Sequence, residues 1–505
     1  MVKQIFNPFL PSWEYIPDGE PHVFGDRVYI YGSHDIANGW EFCLGDYVCW
    51  SASIYDLKDW KFEGVIYKKD QDPINNGKMV LYAPDVTKGP DNRFYLYYVF
   101  DKLGIVSVAV CDTPAGEYEF YGYVHYKDGT RLGERKGDIP QFDPGVLTEG
   151  DRTYLYTGFC PNLVSQRIGA MVTILGKDML TIEQEPRVFI PGMEYVLPKK
   201  ETIEKLKNTI EQTGCPYKMI DVENWEKYNG FAFFEASSIR KVGDTYYFIY
   251  SCKPENNELV YATSKSPTDG FIFRGIIISN CDTQISTYKP PDMKSHCTGN
   301  NHGGIEEING EWYIFYHRHT NGTSYSRQGC AEKIKIEKDG SIAQVEITSC
   351  GLNGGPLVGK GEYPAYIACH LFQQESNKIS QDKILKITQE GRDGLDGLPI
   401  EGVENVEDTA YIAGIRDNSV IGFKYFNFKG IKKVTVKTRS TLIGYFEVRT
   451  KWDGTVLGTI KLNEYSNFWE EHSADISIPD GVSAFYLKFI KTTRDNGHLL
   501  SIKFE

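Results

Sequence analysis

Five polar side chains precede a recurring tyrosine by nearly the same number of residues. By subtraction, the separations are 11, 10, 11, 12 and 11 residues for the pairs Asp18–Tyr29, Asp85–Tyr95, Asp143–Tyr154, Glu235–Tyr247 and His302–Tyr313. Carboxylates held close together raise one another's pKa, and burial raises it further. Groups that titrate in this way are suited to acid–base chemistry. Equal spacing places the five side chains at equivalent positions of a repeated unit. If the units are arranged around one axis, these positions converge, so the spacing indicates one polar site built from four carboxylates and a histidine.

Cleavage of a glycosidic bond is the chemistry that such a site favours. One carboxylic acid protonates the leaving oxygen, and a second carboxylate attacks carbon or activates water. A third carboxylate can hold the pKa of the acid high and orient it. Asp18, Asp143 and Glu235 supply these three groups. If they face one another across a central channel, their separation favours an inverting mechanism, which needs room for a water molecule between the two catalytic groups.

The elements that must position these residues form a fivefold repeat. In each copy a turn rich in Gly, Asn or Asp precedes an aromatic strand, because these residues tolerate the positive φ of tight hairpins. The five copies are Gly25–Tyr31, Asp91–Tyr97, Gly150–Tyr156, Gly243–Tyr250 and Asn309–Tyr316. Further strands are predicted at Asp46–Ser53, Ile105–Cys111, Ala170–Leu175, Leu259–Ser264 and Ala331–Ile336. The repeat predicts an all-β, five-bladed β-propeller over residues 1–350, with a large β-sandwich as the alternative.

Composition and charge narrow the classes of partner. The 34 Tyr, 27 Phe and 8 Trp suit many short strands, and they also suit sugars, whose C–H faces stack on rings. The formal charge of −13 without a basic run predicts no nucleic-acid partner. Neither a signal peptide nor a membrane-spanning stretch is predicted. The 11 scattered Cys favour reduced thiols and a cytoplasmic location, and the oligomeric state stays open.

Several short motifs give the chain a family resemblance over about residues 6–350. They are Pro17-Asp18-Gly19-Glu20, Tyr82-Ala83-Pro84-Asp85, Phe142-Asp143-Pro144-Gly145, Phe234-Glu235-Ala236-Ser237 and Asn301-His302-Gly303-Gly304. In this order, on this repeat, they resemble glycoside hydrolase family 43, a family of five-bladed propellers.

The resemblance implies a role for each matched residue. Asp18 resembles the general base, Asp143 the carboxylate that tunes and positions the acid, and Glu235 the general acid. Asp85 corresponds to a carboxylate that contacts sugar, and Arg327 to an arginine that reaches the sugar site. A further implied residue, His302, resembles a histidine that helps to hold a central Ca²⁺, largely through water.

Other residues near the motifs are candidates for the walls of the sugar pocket. We expect Phe24, His34 and Phe234 to contribute to it. Glu20 is a rival for the base, because residues two apart on a strand point the same way. The cluster His317-Arg318-His319 is either a phosphate-binding group or a strand end with alternating exposure.

The rest of the sequence predicts an insertion within the propeller and a separate domain after it. A predicted amphipathic helix at Glu201–Gln212 either rims the substrate pocket or decorates the surface. Residues 351–365 are rich in Gly and Pro and predict a linker. Residues 366–505 predict a β-sandwich that resembles a family 6 type carbohydrate-binding module. Its candidate sugar-binding aromatics are Tyr425, Phe426, Tyr445 and Trp469; a sandwich that only braces the propeller is the alternative.

Together these features predict an exo-acting, inverting glycoside hydrolase. The expected activity is that of an α-L-arabinofuranosidase acting on arabinose- and xylose-containing oligosaccharides derived from hemicellulose. A β-xylosidase of the same mechanism is the nearest alternative. A propeller phosphorylase of glycosides and a non-catalytic sugar-binding propeller are further alternatives.

Overall fold

A computed structural model of the chain describes most of its residues. The described ranges are 3–37, 39–158, 168–192, 218–219, 225–228, 230–252, 258–296, 299–373, 385–389 and 410–505, with single helical residues at Glu201, Glu204 and Asn208. The apolar residues of the helix predicted at Glu201–Gln212 lie outside these ranges. Within the described ranges, no helix has the length and apolar character needed to cross a bilayer.

The first five sheets are the blades of a propeller, and each begins with its innermost strand. The first blade contains β1 Glu20–Phe24, β2 Arg27–Tyr31, β3 Tyr47–Ser53 and β4 Asp56–Tyr67; the second contains β5 Asp85–Lys88, β6 Phe94–Tyr98, β7 Ser107–Cys111 and β8 Glu119–Tyr123. The third contains β9 Gly145–Glu149, β10 Arg152–Thr157, β11 Gly169–Leu175, β12 Ile182–Pro191 and β13 Lys218–Met219. The fourth contains β14 Phe233–Val242, β15 Thr245–Cys252, β16 Leu259–Ser264 and β17 Ile272–Ile278; the fifth contains β18 Ile305–Ile308, β19 Glu311–His319 and β20 Arg327–Ile334.

The predicted turn between the first two strands of each blade recurs in the structure. Positive φ is found there at Gly25, Asn92, Gly150, Gly243 and Gly310. The aromatic strand that follows each turn is the second strand of its blade. Turn chemistry and strand propensity therefore agree with the repeat seen in the sequence.

Hydrophobic contacts and one side chain close the ring of blades. Five apolar clusters each lie between two neighbouring blades, including one between the first blade and the last. The amide of Asn7 bonds both the N–H and the C=O of Ala331 in β20, at 3.0 and 2.9 Å. The N-terminal segment thus pairs with the last blade through side-chain amide bonds.

A β-sandwich of two six-stranded sheets follows the propeller. One sheet contains β21 Leu357–Val358, β23 His370–Phe372, β26 Val420–Phe428, β28 Ile443–Arg449, β29 Gly458–Leu462 and β31 Gly481–Arg494. The other contains β22 Gly361–Pro364, β24 Lys386–Thr388, β25 Tyr411–Ile415, β27 Lys433–Ser440, β30 Ser466–Asp475 and β32 Gly497–Phe504. Short 3-10 helices lie at Trp225–Tyr228, Gly351–Asn353 and Ala365–Ile367.

The segment predicted as a linker belongs in part to the sandwich. Within residues 351–365, β21 pairs with β26 and β22 pairs with β32. Gly and Pro in this segment mark the turns around two short edge strands, so a composition-based boundary places the sandwich too far along the chain.

Candidate active site

Three turns with positive φ position the predicted catalytic carboxylates. Asp18 (φ 57°) and Asp143 (φ 42°) each lie two residues ahead of an inner strand, and Ala236 (φ 71°) directly follows Glu235 within β14. Asp tolerates this conformation, but Ala adopts it rarely because its Cβ crowds the backbone. The turn at Ala236 directs its N–H to Asp143 Oδ2 at 3.1 Å. The local backbone therefore links the positions of Asp143 and Glu235.

One cavity of about 290 Å³ contains all three carboxylates. Its lining residues come from loops and inner strands of several blades. They are Asp18, Phe42, Cys43, Tyr82, Ala83, Phe142, Asp143, Phe234, Glu235, Asn300, His302, His319, Ser324 and Arg327. Aromatic walls and a few convergent polar groups are typical of a small-molecule site. The structure thus brings the three predicted catalytic residues together, with Arg327, Phe234 and His302 beside them.

Asp18 is held in its ionised form by positive and hydrogen-bonding neighbours. Arg327 Nη1 lies 3.1 and 3.2 Å from its two carboxylate oxygens. Burial alone would raise the pKa of Asp18, but the charge of Arg327, with contributions from His317 and His302, lowers it to about 2. Asp18 therefore carries a negative charge over the whole neutral range.

His317 fixes the turn that carries Asp18. The backbone N–H of Asp18 donates to His317 Nδ1 at 3.2 Å, and His317 Nε2 donates to the carbonyl of Asn300 at 2.9 Å. Burial lowers the pKa of His317 well below its ordinary value. The neutral ring, protonated on Nε2, thus acts as an acceptor for the turn.

Asp143 is in the opposite electrostatic situation. Burial raises its pKa well above the ordinary value, and the charges of Glu235 and Asp18 raise it further. The N–H of Ala236 and the more distant Arg327 only partly offset this effect. Two carboxyl groups in such a position share a proton as a pair. The cavity therefore contains one ionised carboxylate, Asp18, and one carboxyl group, Asp143, whose pKa is raised beside Glu235; the last two are called here the Asp143–Glu235 pair.

His302 lies on the axis between the cavity and a second buried carboxylate. Its Nδ1 is 3.8 Å from Asp18 Oδ1 and 4.0 Å from Asp143 Oδ2, and its Nε2 is 3.8 Å from Glu20 Oε1. Burial lowers the pKa of His302 to about 4. Within the described ranges, His302 Nε2 and Glu20 Oε1 are buried without a hydrogen-bond partner. On the axis, these two polar atoms thus lie 3.8 Å apart without a hydrogen bond between them.

Comparison with known proteins decides the family. The model of glycosyl hydrolases family 43 matches residues 7–342. The chain belongs to this family. It is 57% identical over 497 residues to a xylosidase/arabinosidase of Thermoclostridium stercorarium, and the match covers 97% of each chain. An arabinoxylan arabinofuranohydrolase of Paenibacillus polymyxa is 24% identical and matches 97% of this chain and 71% of its own. A solved Bacillus subtilis arabinoxylan arabinofuranohydrolase of family 43 is 20% identical, with a TM-score of 0.48 and coverage of 99% and 97%. The protein is a glycoside hydrolase.

Asp85 has a different position in this family 43 chain from the one that its spacing suggests. By strand register, Glu20, Asp85 and Gly145 pair with Tyr31, Tyr97 and Tyr156. Asp85 is therefore equivalent to Glu20, whereas Ala83 is the counterpart of Asp18 and lines the cavity. The turn between β5 and β6 is longer than the turn between β1 and β2. The number of residues from Asp85 to the repeat tyrosine is therefore misleading.

The Asp85 carboxylate joins the inner strands below the cavity. It accepts hydrogen bonds from Val86 N–H, Val146 N–H and His22 Nε2 at 2.7, 2.7 and 2.6 Å. Burial raises the pKa of Asp85 to about 7 against the opposing charge of Arg240. These bonds leave Asp85 outside the cavity lining, and its predicted contact with sugar does not follow from this position.

Glu20, the rival for the base, also lies below the cavity. Its Oε2 accepts hydrogen bonds from Ser238 Oγ at 2.9 Å and from Arg240 Nη2 at 3.2 Å. Burial raises the pKa of Glu20 to about 8; Arg240 lowers it and Asp85 raises it. A carboxyl group that is protonated at neutral pH and absent from the cavity lining fits the role of base less well than Asp18 does.

Phe24 and His34 also lie away from the cavity. The Phe24 ring packs on His22 and Phe94, with centroid distances of 5.6 and 4.9 Å. His34 is buried between Glu14 Oε1, at 3.0 Å, and the carbonyl of Asp46, at 2.9 Å. Both positions are near Asp18 in sequence, but Phe24 lies at the far end of β1 and His34 lies on the loop after β2, and neither residue lines the cavity.

The cluster His317-Arg318-His319 is buried throughout, so the expected alternation of exposure is wrong. His317 and His319 both contact Asn300, and His319 lines the cavity. Arg318 points the other way and donates to the carbonyls of Ala368 and Cys369 at 3.2 and 3.3 Å. Both faces of the strand are buried because the sandwich covers the second one.

Sequence reasoning missed several lining residues of the cavity. Phe42, Cys43, Asn300 and Ser324 lie on loops between strands, where no periodic pattern identifies them. Tyr82 and Phe142 stand inside the quoted motifs, beside Ala83 and Asp143, and their rings meet edge to face at 5.4 Å. Proximity to the motif carboxylates was the one signal that could have found them.

The aromatics predicted to bind sugar on the sandwich have mixed positions. Phe426 is fully buried in its core. Tyr425 donates to Glu346 Oε2 at 2.6 Å in the contact with the propeller. Trp469 and Tyr445 are partly exposed, and the Arg439 guanidinium lies 4.3 Å from the Trp469 ring centroid. Phe426 therefore belongs to the sandwich core and Tyr425 to the domain contact, and a carbohydrate-binding role for the sandwich stays a prediction.

Proposed function

We propose that this enzyme is an exo-acting, inverting hydrolase that releases arabinose from arabinose- and xylose-containing oligosaccharides. The observation that carries the proposal is the single cavity in which ionised Asp18 lies beside the Asp143–Glu235 pair. An inverting reaction needs one ionised carboxylate and one protonated carboxylic acid in the same pocket. The names of two relatives, xylosidase/arabinosidase and arabinoxylan arabinofuranohydrolase, support the pentose substrate.

In this proposal Asp18 is the base, Glu235 the acid and Asp143 the group that maintains the acid. Asp18 takes a proton from the water that attacks the anomeric carbon, and Glu235 gives a proton to the leaving oxygen. The sugar–oxygen bond breaks as the new carbon–oxygen bond forms on the opposite face. The negative charge on Asp143 raises the pKa of Glu235, so that Glu235 retains its proton until it transfers the proton to the leaving oxygen.

The walls of the cavity suit one terminal sugar and part of the next. Phe42, Phe142 and Phe234 offer apolar surface for the C–H faces of a furanose or pyranose ring. Arg327 is already paired with Asp18 and with Asp35, whose oxygens lie 2.8 and 2.9 Å away. Its role is therefore to orient Asp18 and to offer remaining N–H groups to sugar hydroxyls.

β-Xylosidase activity is the second candidate. The name xylosidase/arabinosidase of the 57% identical relative includes both activities, and a Xylanibacter ruminicola relative, 25% identical, is named β-xylosidase. A phosphorylase finds no support in the described residues, because Arg318 faces the sandwich and Arg327 already pairs two carboxylates.

We extend the proposal to one Ca²⁺ on the propeller axis, held largely through water. The two unpartnered buried atoms, His302 Nε2 and Glu20 Oε1, provide a nitrogen and an oxygen that water molecules of a hydrated cation can meet. Ca²⁺ takes six to eight oxygen ligands, so most of them would be water. Its charge would favour the ionised forms of the nearby carboxyl groups. Dialysis against a chelator is expected to lower the melting temperature, and added Ca²⁺ to restore it.

The proposed substrates are short oligosaccharides met inside the cell. Eight cysteines of the described residues are free thiols, which suits a reducing compartment. Fractionation of the native host, followed by an immunoblot, tests this location.

A panel of nitrophenyl arabinofuranosides, xylosides and galactosides tests the activity. The α-L-arabinofuranoside is expected to give the highest kcat/KM, with the xyloside next. Proton NMR of the first product formed should show the anomer opposite to that of the substrate. Retention of configuration would contradict the base role of Asp18, and a preference for galactoside would contradict the pentose assignment.

A further inference from the structure

A second cavity, of about 140 Å³, opens where the sandwich meets the propeller. It shares no lining residue with the cavity around Asp18. Its walls include Phe372, Trp452, Asp453, Tyr486 and Lys488 of the sandwich, and Met293 of the propeller. None of these residues contributes to the chemistry proposed above.

A glycine creates the aromatic wall of this cavity. In β26, Gly422 pairs with Tyr486 of β31 on one side and with His370 of β23 on the other. A Cβ atom at Gly422 would lie 2.5 Å from the Tyr486 ring and 2.8 Å from His370 Nδ1. Because Gly422 has no side chain, the two rings stack at 5.7 Å with an interplanar angle of 18°.

Trp452 completes the wall in a fixed orientation. Its ring stands edge-on to Tyr486 at 5.9 Å and 84°, and to His370 at 5.5 Å and 77°. Phe372 meets it at 5.5 Å and 68°. Three aromatic side chains, Tyr486, Trp452 and Phe372, are therefore held by one another before any ligand binds, which reduces the entropy lost on binding.

The rim of the cavity is polar and carries both signs of charge. In the part of the chain that the structure describes, the Lys488 ammonium and the Asp453 carboxylate make no ion pair or hydrogen bond. Arg449, which also lines the cavity, is held in place by Glu447 Oε2 at 2.6 Å and by the carbonyl of Gly454 at 3.0 Å. One cationic donor and one anionic acceptor beside an apolar wall match a ligand that offers hydroxyl groups and a C–H face.

We propose that this cavity, named here the junction pocket, is a second carbohydrate site that takes a single sugar ring. A closed apolar cavity of about 150 Å³ binds benzene, so a pocket of about 140 Å³ that opens at its rim limits the ligand to a single ring. Stacking on the aromatic wall would bind the C–H face, while Lys488 and Asp453 bond the hydroxyls. That the ring is a pentose rests on the proposed function; that it is a sugar rests on the walls of the pocket alone.

Methyl NMR of isotope-labelled methionine tests the junction pocket directly. The chain has only 7 Met, and Met293 lines the pocket, so its methyl signal reports on ligand there. Met293→Leu assigns the signal by its loss. Titration with xylose, arabinose and xylotriose is expected to shift the Met293 signal in a saturable way. The double variant Lys488→Ala and Asp453→Ala should bind about tenfold more weakly, with kcat/KM on nitrophenyl glycosides unchanged.

Two results would overturn the junction pocket. The Met293 signal could stay fixed up to the solubility limit of all three sugars. Alternatively, it could shift with the same affinity in the double variant, which would place the binding elsewhere. The measurement needs no turnover, so an inactive enzyme that still shows the saturable shift would contradict the proposed hydrolase function and leave the junction pocket intact.

Discussion

At the scale of single residues, one guanidinium sets the charge of the proposed base. Arg327 makes a two-pronged contact with Asp35 and a second contact with Asp18, and all three side chains are buried. Planar, always-charged Arg is suited to hold two carboxylates at once. Since burial alone would raise the pKa of Asp18, its ionisation at neutral pH depends most on this neighbour.

Substitution of Arg327 should change the acidic side of the pH–rate profile. The pKa of Asp18 is lowered to about 2, so the wild-type rate should hold on the acidic side until the protein unfolds. In Arg327→Met, the largest effect that opposes burial is lost, and the acidic limb should move to higher pH. Removing one partner of buried charges also costs about 3–5 kcal/mol of stability.

Arg327→Lys is the matched control, because it keeps the positive charge and loses the planar, forked guanidinium group. It should lower kcat/KM with a smaller movement of the acidic limb. On the alkaline side, both variants should lose rate as the pH rises through the raised pKa of the Asp143–Glu235 pair. Profiles of kcat/KM measured from acidic to alkaline pH check this, and an unmoved acidic limb in Arg327→Met would refute the assigned cause.

The sequence predicted the three carboxylates of the cavity better than it predicted the residues around them. Asp18, Asp143 and Glu235 could be found because each stands at a regular place relative to a repeat tyrosine. Counting residues could not place Asp85 correctly, because the turn after β5 is longer than the turn after β1. By strand register, Asp85 is equivalent to Glu20 and not to Asp18. Residues such as Phe42 and Asn300 reach the cavity from loops, whose course depends on tertiary packing.

At the scale of elements, the inner strands approach so closely that single glycines keep the carboxylates in place. A Cβ atom at Gly145, the first residue of β9, would lie 2.5 Å from the carbonyl oxygen of Ser237 in β14. Gly145 follows Asp143 by two residues, and Ser237 follows Glu235 by two. The distance between these strands therefore controls the distance between Asp143 and Glu235.

Gly145→Ala should separate the acid from its partner. The added methyl group would push β9 from β14, and we expect kcat to fall about 100-fold or more, as when a catalytic group moves by about 1 Å. Gly355→Ala is the control, because a Cβ atom there meets nothing within 4 Å and the residue is not in the positive-φ region. Steady-state kinetics with a nitrophenyl glycoside checks both variants; equal rates in the two would show that this close approach has no catalytic consequence.

The strands themselves could largely be predicted, and the domain boundary could not. The second and third strands of each blade match aromatic and β-branched runs of the sequence. By contrast, β21 and β22 are short and lie among Gly and Pro. Only their pairing with β26 and β32, which is a long-range interaction, makes them strands.

At the scale of the whole molecule, a buried lysine joins the two domains. Lys424 of β26 has a fully buried side chain, and its Nζ lies 3.1 Å from Asp282 Oδ2 and 2.8 Å from Glu346 Oε2, both on the propeller side. Burial would raise the pKa of Asp282, but the charge of Lys424, with His370 and Tyr288, lowers it to about 2. The propeller thus depends on a charge that the sandwich supplies.

Loss of the Lys424 charge should lower the stability of the folded enzyme. Lys424→Met leaves Asp282 buried without its cation, at a cost of about 3–5 kcal/mol. Wild-type stability should fall as the pH drops from the ordinary pKa of Asp towards 2, because the unfolded chain then binds the proton more readily. In Lys424→Met that acid dependence should be smaller.

Lys451→Met, at an exposed position, is the matched control. Urea unfolding followed at several pH values, with tryptophan fluorescence, measures both variants. If Lys424→Met unfolds at the same urea concentration as Lys451→Met, the sandwich does not stabilise the propeller through this charge.

The central claim is that Asp18 and Glu235 act as base and acid in one cavity, and their different dependence on the leaving group tests it most directly. We would measure kcat/KM of Asp18→Asn and Glu235→Gln on an arabinose-containing oligosaccharide and on a dinitrophenyl arabinofuranoside, whose leaving group needs no proton. Asp18→Asn should lose about 100- to 10,000-fold on both substrates, and Glu235→Gln should lose that much only on the oligosaccharide. Equal losses by Glu235→Gln on both substrates, or near wild-type rates in Asp18→Asn, would contradict the account.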